Sequence, residues 1–175
     1  MRILVQQHSK SFVFAHAGPL AVCLWRGHVN LASLPIARDL HAGLVARYGR
    51  ITSLCICRIS RASAMPEPGV DVAFAEGAAK LAPHLVGSAT VIEASGAAAA
   101  IAHGLRTRAL PHLTSPSEVF STVAAALSWI SALPGQASEL QTAASLAVEL
   151  ELLGRGDEDE GGAQVLPFPG SRRAG

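Results

Sequence analysis

Ile51-Thr-Ser-Leu-Cys-Ile-Cys-Arg-Ile59 decides how this chain folds. Side chains of a strand alternate between its faces. Ile51, Cys55, Cys57 and Ile59 then fall on one side, and Leu54 and Ile56 on the other. A strand that is apolar on both faces belongs in the middle of a sheet, usually a parallel one. Gly49 closes the amphipathic segment before it, and a polar joint follows, Ser60-Arg-Ala-Ser63-Ala-Met-Pro66-Glu-Pro68-Gly69. In open parallel sheets function gathers at the carboxyl ends of strands, so Ser60–Asp71 is the first place to look for a site.

Working outward from the strand, Ile36, Leu40, Leu44 and Tyr48 recur four apart and predict a helix. Pro35 is tolerable only near its start, Asn30 is a suitable N-cap and Gly49 a C-cap. Further back, Ser11–Ala15 and Leu20–Trp25 flank His16-Ala-Gly18-Pro19, the pattern of a hairpin, with Leu4–Gln6 adding an edge strand. Beyond the joint, Val70, Phe74, Ala78 and Leu81 give a second helical face, stopped by Pro83 and Gly87. A short strand, Ala89–Ala94, leads to a third helix capped by Ser95, carrying Ile101, Leu105 and Ala109 and ended by Pro111. Glu118–Phe120 is a last strand, and Ser121 caps a helix with Ala125, Leu127 and Trp129. Ser138 and Gln141 form a capping box for one more helix.

The expected fold is therefore α/β, with a mixed, mostly parallel sheet of four to five strands in sequential order. Right-handed crossovers between sequential strands put the helices mainly on one face. The other face then needs cover, from Ser138–Leu153 or from a second copy of the chain. Residues 1–134 make the α/β domain, 135–153 the additional C-terminal helix and 154–175 a disordered tail, Gly-Arg-Gly-Asp-Glu-Asp-Glu-Gly-Gly being poor in apolar residues. Leu24, Leu44, Leu54, Ile56, Phe74, Ile101 and Trp129 are expected to meet in one layer between sheet and helices.

The composition fits one globular domain: 175 residues, half of them hydrophobic and 15% charged. A chain of this size buries roughly 68–70% of its unfolded surface. With 14 Lys plus Arg against 13 Asp plus Glu and no basic stripe, nucleic acid is not an expected partner. The first residues are too short and polar for a signal peptide, and no apolar run reaches the ~18 residues that cross a bilayer. A cytoplasmic protein without a membrane partner is expected. Its three cysteines, Cys23, Cys55 and Cys57, lie in apolar runs and read as reduced, structural thiols.

The order of elements resembles the STAS domain, the module shared by sulfate transporters and anti-sigma factor antagonists. The resemblance covers about Ser11 to Ser131. It rests on Trp25-Arg-Gly27-His-Val-Asn30 opening the first helix, on Ile51–Ile59 as central strand, and on Val119-Phe-Ser121 running into Ala125–Trp129. Phosphorylated antagonists carry Asp-Ser-Ser or Asp-Ser-Thr followed by Gly at the end of the central strand. Here that place reads Arg58-Ile-Ser60-Arg-Ala-Ser63-Ala-Met, without the Asp or the Gly. The resemblance implies the scaffold without the phospho-switch.

Ser60 and Ser63 are nonetheless the candidate phospho-acceptors, close to a helix start that favours an anion, with Arg58 and Arg61 as candidate anion partners. Both serines also suit an ordinary turn. The seven histidines, His8, His16, His28, His41, His84, His103 and His112, are scattered without ligand spacing, so no metal is expected. Ser95-Gly96 lacks the remainder of a phosphate-binding turn, and Glu93 reads as a solvated carboxylate. No nucleophile elbow, Walker loop or zinc-protease motif is present, so neither catalysis nor a cofactor is expected. The leading expectation is a regulatory module that docks a partner protein. The alternatives are a small-molecule or lipid-binding protein of the same fold and a structural homodimer. A cavity above roughly 300 Å³ separates the ligand-binding alternative from the others.

Overall fold

A computed structural model describes residues 3–9, 11–27, 29–58 and 67–135. Six strands form one sheet in strict sequence order: β1 (Leu4–His8), β2 (Phe12–Ala17), β3 (Leu20–Trp25), β4 (Ile51–Cys57), β5 (Leu85–Ile92) and β6 (Ser117–Phe120). β1, β2 and β3 pair antiparallel, and β3 to β6 are parallel. The additional strand over the expected four to five comes from β1, which runs on to His8 past an irregularity between Val5 and Gln7.

β4 lies between β3 and β5, as its two apolar faces require. Ile51, Cys55 and Cys57 join the core on one side, Leu54 and Ile56 that on the other. The hairpin turns at Gly18-Pro19, pairing Ala17 with Leu20. The helix α1 (Ser33–Tyr48) has Ala32 as its N-cap rather than Asn30, whose side-chain Oδ1 accepts from the Ser33 N–H at 2.8 Å in the turn that leads into the helix. It ends at Gly49, in the left-handed region at φ +74°, with its N–H donating to the Val45 carbonyl. Its buried stripe is Ser33, Ala37 and Leu44, while Ile36 is exposed. A spacing of four drifts around a helix of 3.6 residues per turn, which carries Ile36 off the face that Leu44 holds.

Two further expectations are corrected. β5 starts at Leu85 rather than Ala89, so Gly87 lies inside a strand and does not stop a helix. A Cβ on Gly87 would stand 2.4 Å from the Leu133 side chain, a close approach that a strand glycine permits. The fourth helix, α4 (Val123–Ser131), is capped by Thr122, whose hydroxyl accepts from the Ala125 N–H, and not by Ser121. It buries Val123, Ala126, Leu127 and Ile130, leaving Ala125 exposed.

The larger correction concerns layers. α1, α2 (Val70–Leu81) and α3 (Gly96–Ala109) follow the crossover rule and share one face of the sheet. Among the described residues α4 leads to no further parallel strand, so no crossover binds it to that side, and it packs on the opposite face against β4, β5 and β6. The single expected layer thus splits. Leu24, Leu54, Ile56 and Trp129 meet on the α4 face, with Leu44, Phe74 and Ile101 on the other. The expected helix and tail lie, from residue 136 on, outside the described residues.

Candidate functional site

Between the sheet and the three-helix layer lies a cavity of about 500 Å³. Its floor can be read from strand register. Ser53, Ser88 and Ser117 are successive cross-strand partners on β4, β5 and β6. One step further along, Cys23 pairs with Cys55 and Cys55 with Thr90. These small side chains stand where parallel sheets usually carry Val, Ile or Leu.

The roof is small in part, at Ala73, Gly77 and Ala78. α2 packs mainly on α3 and α1 rather than on the strands. It lines the cavity with Ala73, Phe74, Gly77, Ala78 and Leu81, and only Val70 of the whole helix is buried. Sheet and helix layers stay apart at a distance set by the larger side chains around them, so a patch that is small on both sides leaves a void. Cys55, in the centre of the sheet, is consequently only half-buried.

The polar groups in the cavity are neutral in the centre. His41 on α1 donates from Nδ1 to the Ala37 carbonyl at 2.8 Å and sets Nε2 3.9 Å from Cys23 Sγ. Burial lowers the His41 pKa, the Ala37 bond only partly opposing it, so the ring is a neutral imidazole. Burial likewise pushes the Cys23 thiol far up, with Cys57 adding to the effect. The Cys55 and Cys57 sulfurs stand 4.0 Å apart. Donating to Cys57 raises Cys55, as does burial, while accepting that bond lowers Cys57 against the opposing effect of burial. Charged side chains sit toward the edge: Arg38 and Lys80 are exposed, as are Glu76 and His84, and Arg106 is half-buried.

Among the described residues no group of three or more His, Cys, Asp or Glu is placed to hold a metal ion. No helix among them is long and apolar enough to cross a membrane.

Of the residues singled out in the sequence, Ser60, Arg61 and Ser63 lie outside the described residues. Arg58 follows the end of β4, and its guanidinium pairs with Glu93 at the end of β5. The carboxylate expected to be solvated is therefore held in an ion pair. The cavity lies under α2 and coincides with none of the motifs of the sequence. Its one sequence signal is the run of small residues in Ala73–Ala78 opposite the serines and cysteines of the strands. Searches against protein-family models, curated proteins and solved structures find no match for this chain.

Proposed function

We propose that this chain is a non-catalytic binding protein that holds a small, largely apolar molecule between its sheet and helix α2, on a scaffold like that of the STAS domain. The observation that carries the reading is the half-buried centre of the sheet, Cys55, Ser88 and Thr90, at the floor of a cavity of about 500 Å³. Small-molecule sites occupy about 300–1,000 Å³ and combine apolar walls with a few polar groups. Closed and dry, such a void would cost on the order of 12 kcal/mol at ~24 cal/mol per Å³. That rivals the entire stability of a domain, ~5–15 kcal/mol, so the space takes up solvent or a ligand.

Binding fits the chemistry of the site better than turnover. A nucleophilic cysteine reacts as its thiolate. Cys23 faces a neutral imidazole and burial holds it protonated. Cys55 is held protonated by its bond to Cys57, and Cys57, lowered by accepting that bond, is itself buried. Docking of a partner at Ser60–Asp71 remains a different reading, and most of that joint lies outside the described residues.

Native mass spectrometry of the purified protein, with titration of a polarity-sensitive apolar dye, tests the proposal. A bound small molecule, or dye uptake at one per chain that Cys55→Trp abolishes, is the expected result. Absence of both a bound species and dye uptake would remove the proposal. A dimer without ligand would favour the structural reading instead.

A further inference from the structure

We propose that the ligand carries a carboxylate at one end, held by Arg106, so that the cavity takes an amphipathic monocarboxylic acid of the fatty-acid type. This rests on the ligand-binding reading above and names the ligand's chemical class.

Arg106 lies in the last turn of α3 and lines the cavity beside Leu105, Leu113 and Ser117. Its Nη2 donates to the Ser117 carbonyl at 3.1 Å, which ties α3 to the start of β6. That bond uses one of the five N–H donors of a guanidinium. Nε is buried and has no hydrogen-bond partner. Its helix neighbour Arg108 pairs with Asp71, and Arg38 and Arg58 pair with Asp39 and Glu93, but Arg106 is in no ion pair among the described residues.

Nε is closed off from the cavity, which leaves the Nη groups to meet a ligand. A half-buried guanidinium without a counter-charge is costly, because its desolvation is not returned by an ion pair. Here it stands where an apolar cavity meets its polar edge. A planar fork of donors matches a carboxylate in two parallel hydrogen bonds. The serine row Ser53, Ser88 and Ser117 ends at the same place and offers hydroxyls to the head group. Phe74, Leu81, Leu34 and Val45 supply the surface for an alkyl body. Glu76 is a carboxylate of the same lining, but it is exposed on α2 and screened by water, with Lys80 one turn away. Lys80 is likewise exposed, so it is a weaker anchor than a half-buried guanidinium.

The test is titration of the full chain with dodecanoate, dodecanol and dodecylamine, all below their micelle concentrations, followed by dye displacement and calorimetry. Dodecanoate should bind the wild type and lose about 10- to 100-fold in affinity in Arg106→Met, the usual effect of losing a charge-assisted bond. Dodecanol should bind both proteins alike, and Lys80→Met should behave as wild type. Unchanged dodecanoate affinity in a folded Arg106→Met, or a loss confined to Lys80→Met, would overturn the assignment while leaving the cavity as a binding site. Failure of all three compounds and of the dye would instead strike the ligand-binding reading itself. Should Arg106→Met fail to fold, the wild type alone decides. Dodecanoate must then bind at least tenfold more tightly than dodecylamine, and equal affinities reject the carboxylate.

Discussion

Along β5 the two sides of the sheet differ residue by residue. Gly87, Ala89 and Val91 are buried, whereas Ser88, Thr90 and Ile92 between them are only half-buried. The first set faces the layer to which α4 belongs, and the second faces the three-helix layer. On the α4 side Leu54, Ile56, Ala89, Val91, Leu127 and Ile130 interlock with at most 2% of any of them exposed. On the other side α2 bridges its neighbouring helices above a floor of serine, threonine and cysteine. The lesson is one of division of labour. One face holds the domain together, and the opposite face of the same strands is left open enough to receive something.

The largest expected effect compares adjacent residues of β4. Ile56→Ala should cost about 2–5 kcal/mol by leaving a void in a filled layer. Cys55→Ala, which enlarges an existing cavity, should cost under about 1 kcal/mol. Denaturant unfolding of both variants measures the contrast, and equal losses would mean that the two faces are packed alike.

The helices repeat the comparison. Leu127→Ala on α4 should lose about 2–4 kcal/mol, as for other fully buried leucines. Phe74→Ala on α2 should lose less than half of that, because its ring borders open space. Thermal melts of the pair suffice, and a more damaging Phe74→Ala would place α2 in a closed core.

Adding volume sharpens the point. Overpacking a tight core costs about 1–3 kcal/mol. Cys55→Leu should stay within about 1 kcal/mol of the parent while abolishing dye uptake. Retained uptake would show that the ligand space does not reach the centre of β4.

The smallest effect is a pH dependence from His41. Its folded pKa is lowered, so below the ordinary value of 6.5 the unfolded chain takes a proton that the folded chain refuses. Stability is complete above that pH and declines as the pH falls toward the lowered folded value. In His41→Gln that part of the decline should vanish, as read from melting curves between neutral and mildly acid pH. An unaltered slope would mean that the ring over Phe14 and Cys23 is open to water.

The sequence alone determined a good deal. The double apolar alternation of Ile51–Cys57 placed β4 inside the sheet, because alternation is a property of the strand itself. Gly18-Pro19 and Gly49 marked their turn and C-cap through local backbone preferences that need no distant partner. The small residues of α2 and the strands were visible as composition, but a void forms only when small patches on separate elements are brought face to face. That depends on register and on layer spacing, which arise from the whole assembly. The same holds for the side taken by α4 and for the division of the core into two layers. The pairing of Arg58 with Glu93 and the unmatched donor of Arg106 were likewise decided in three dimensions, by strands and helices whose contacts bridge residues far apart in the chain.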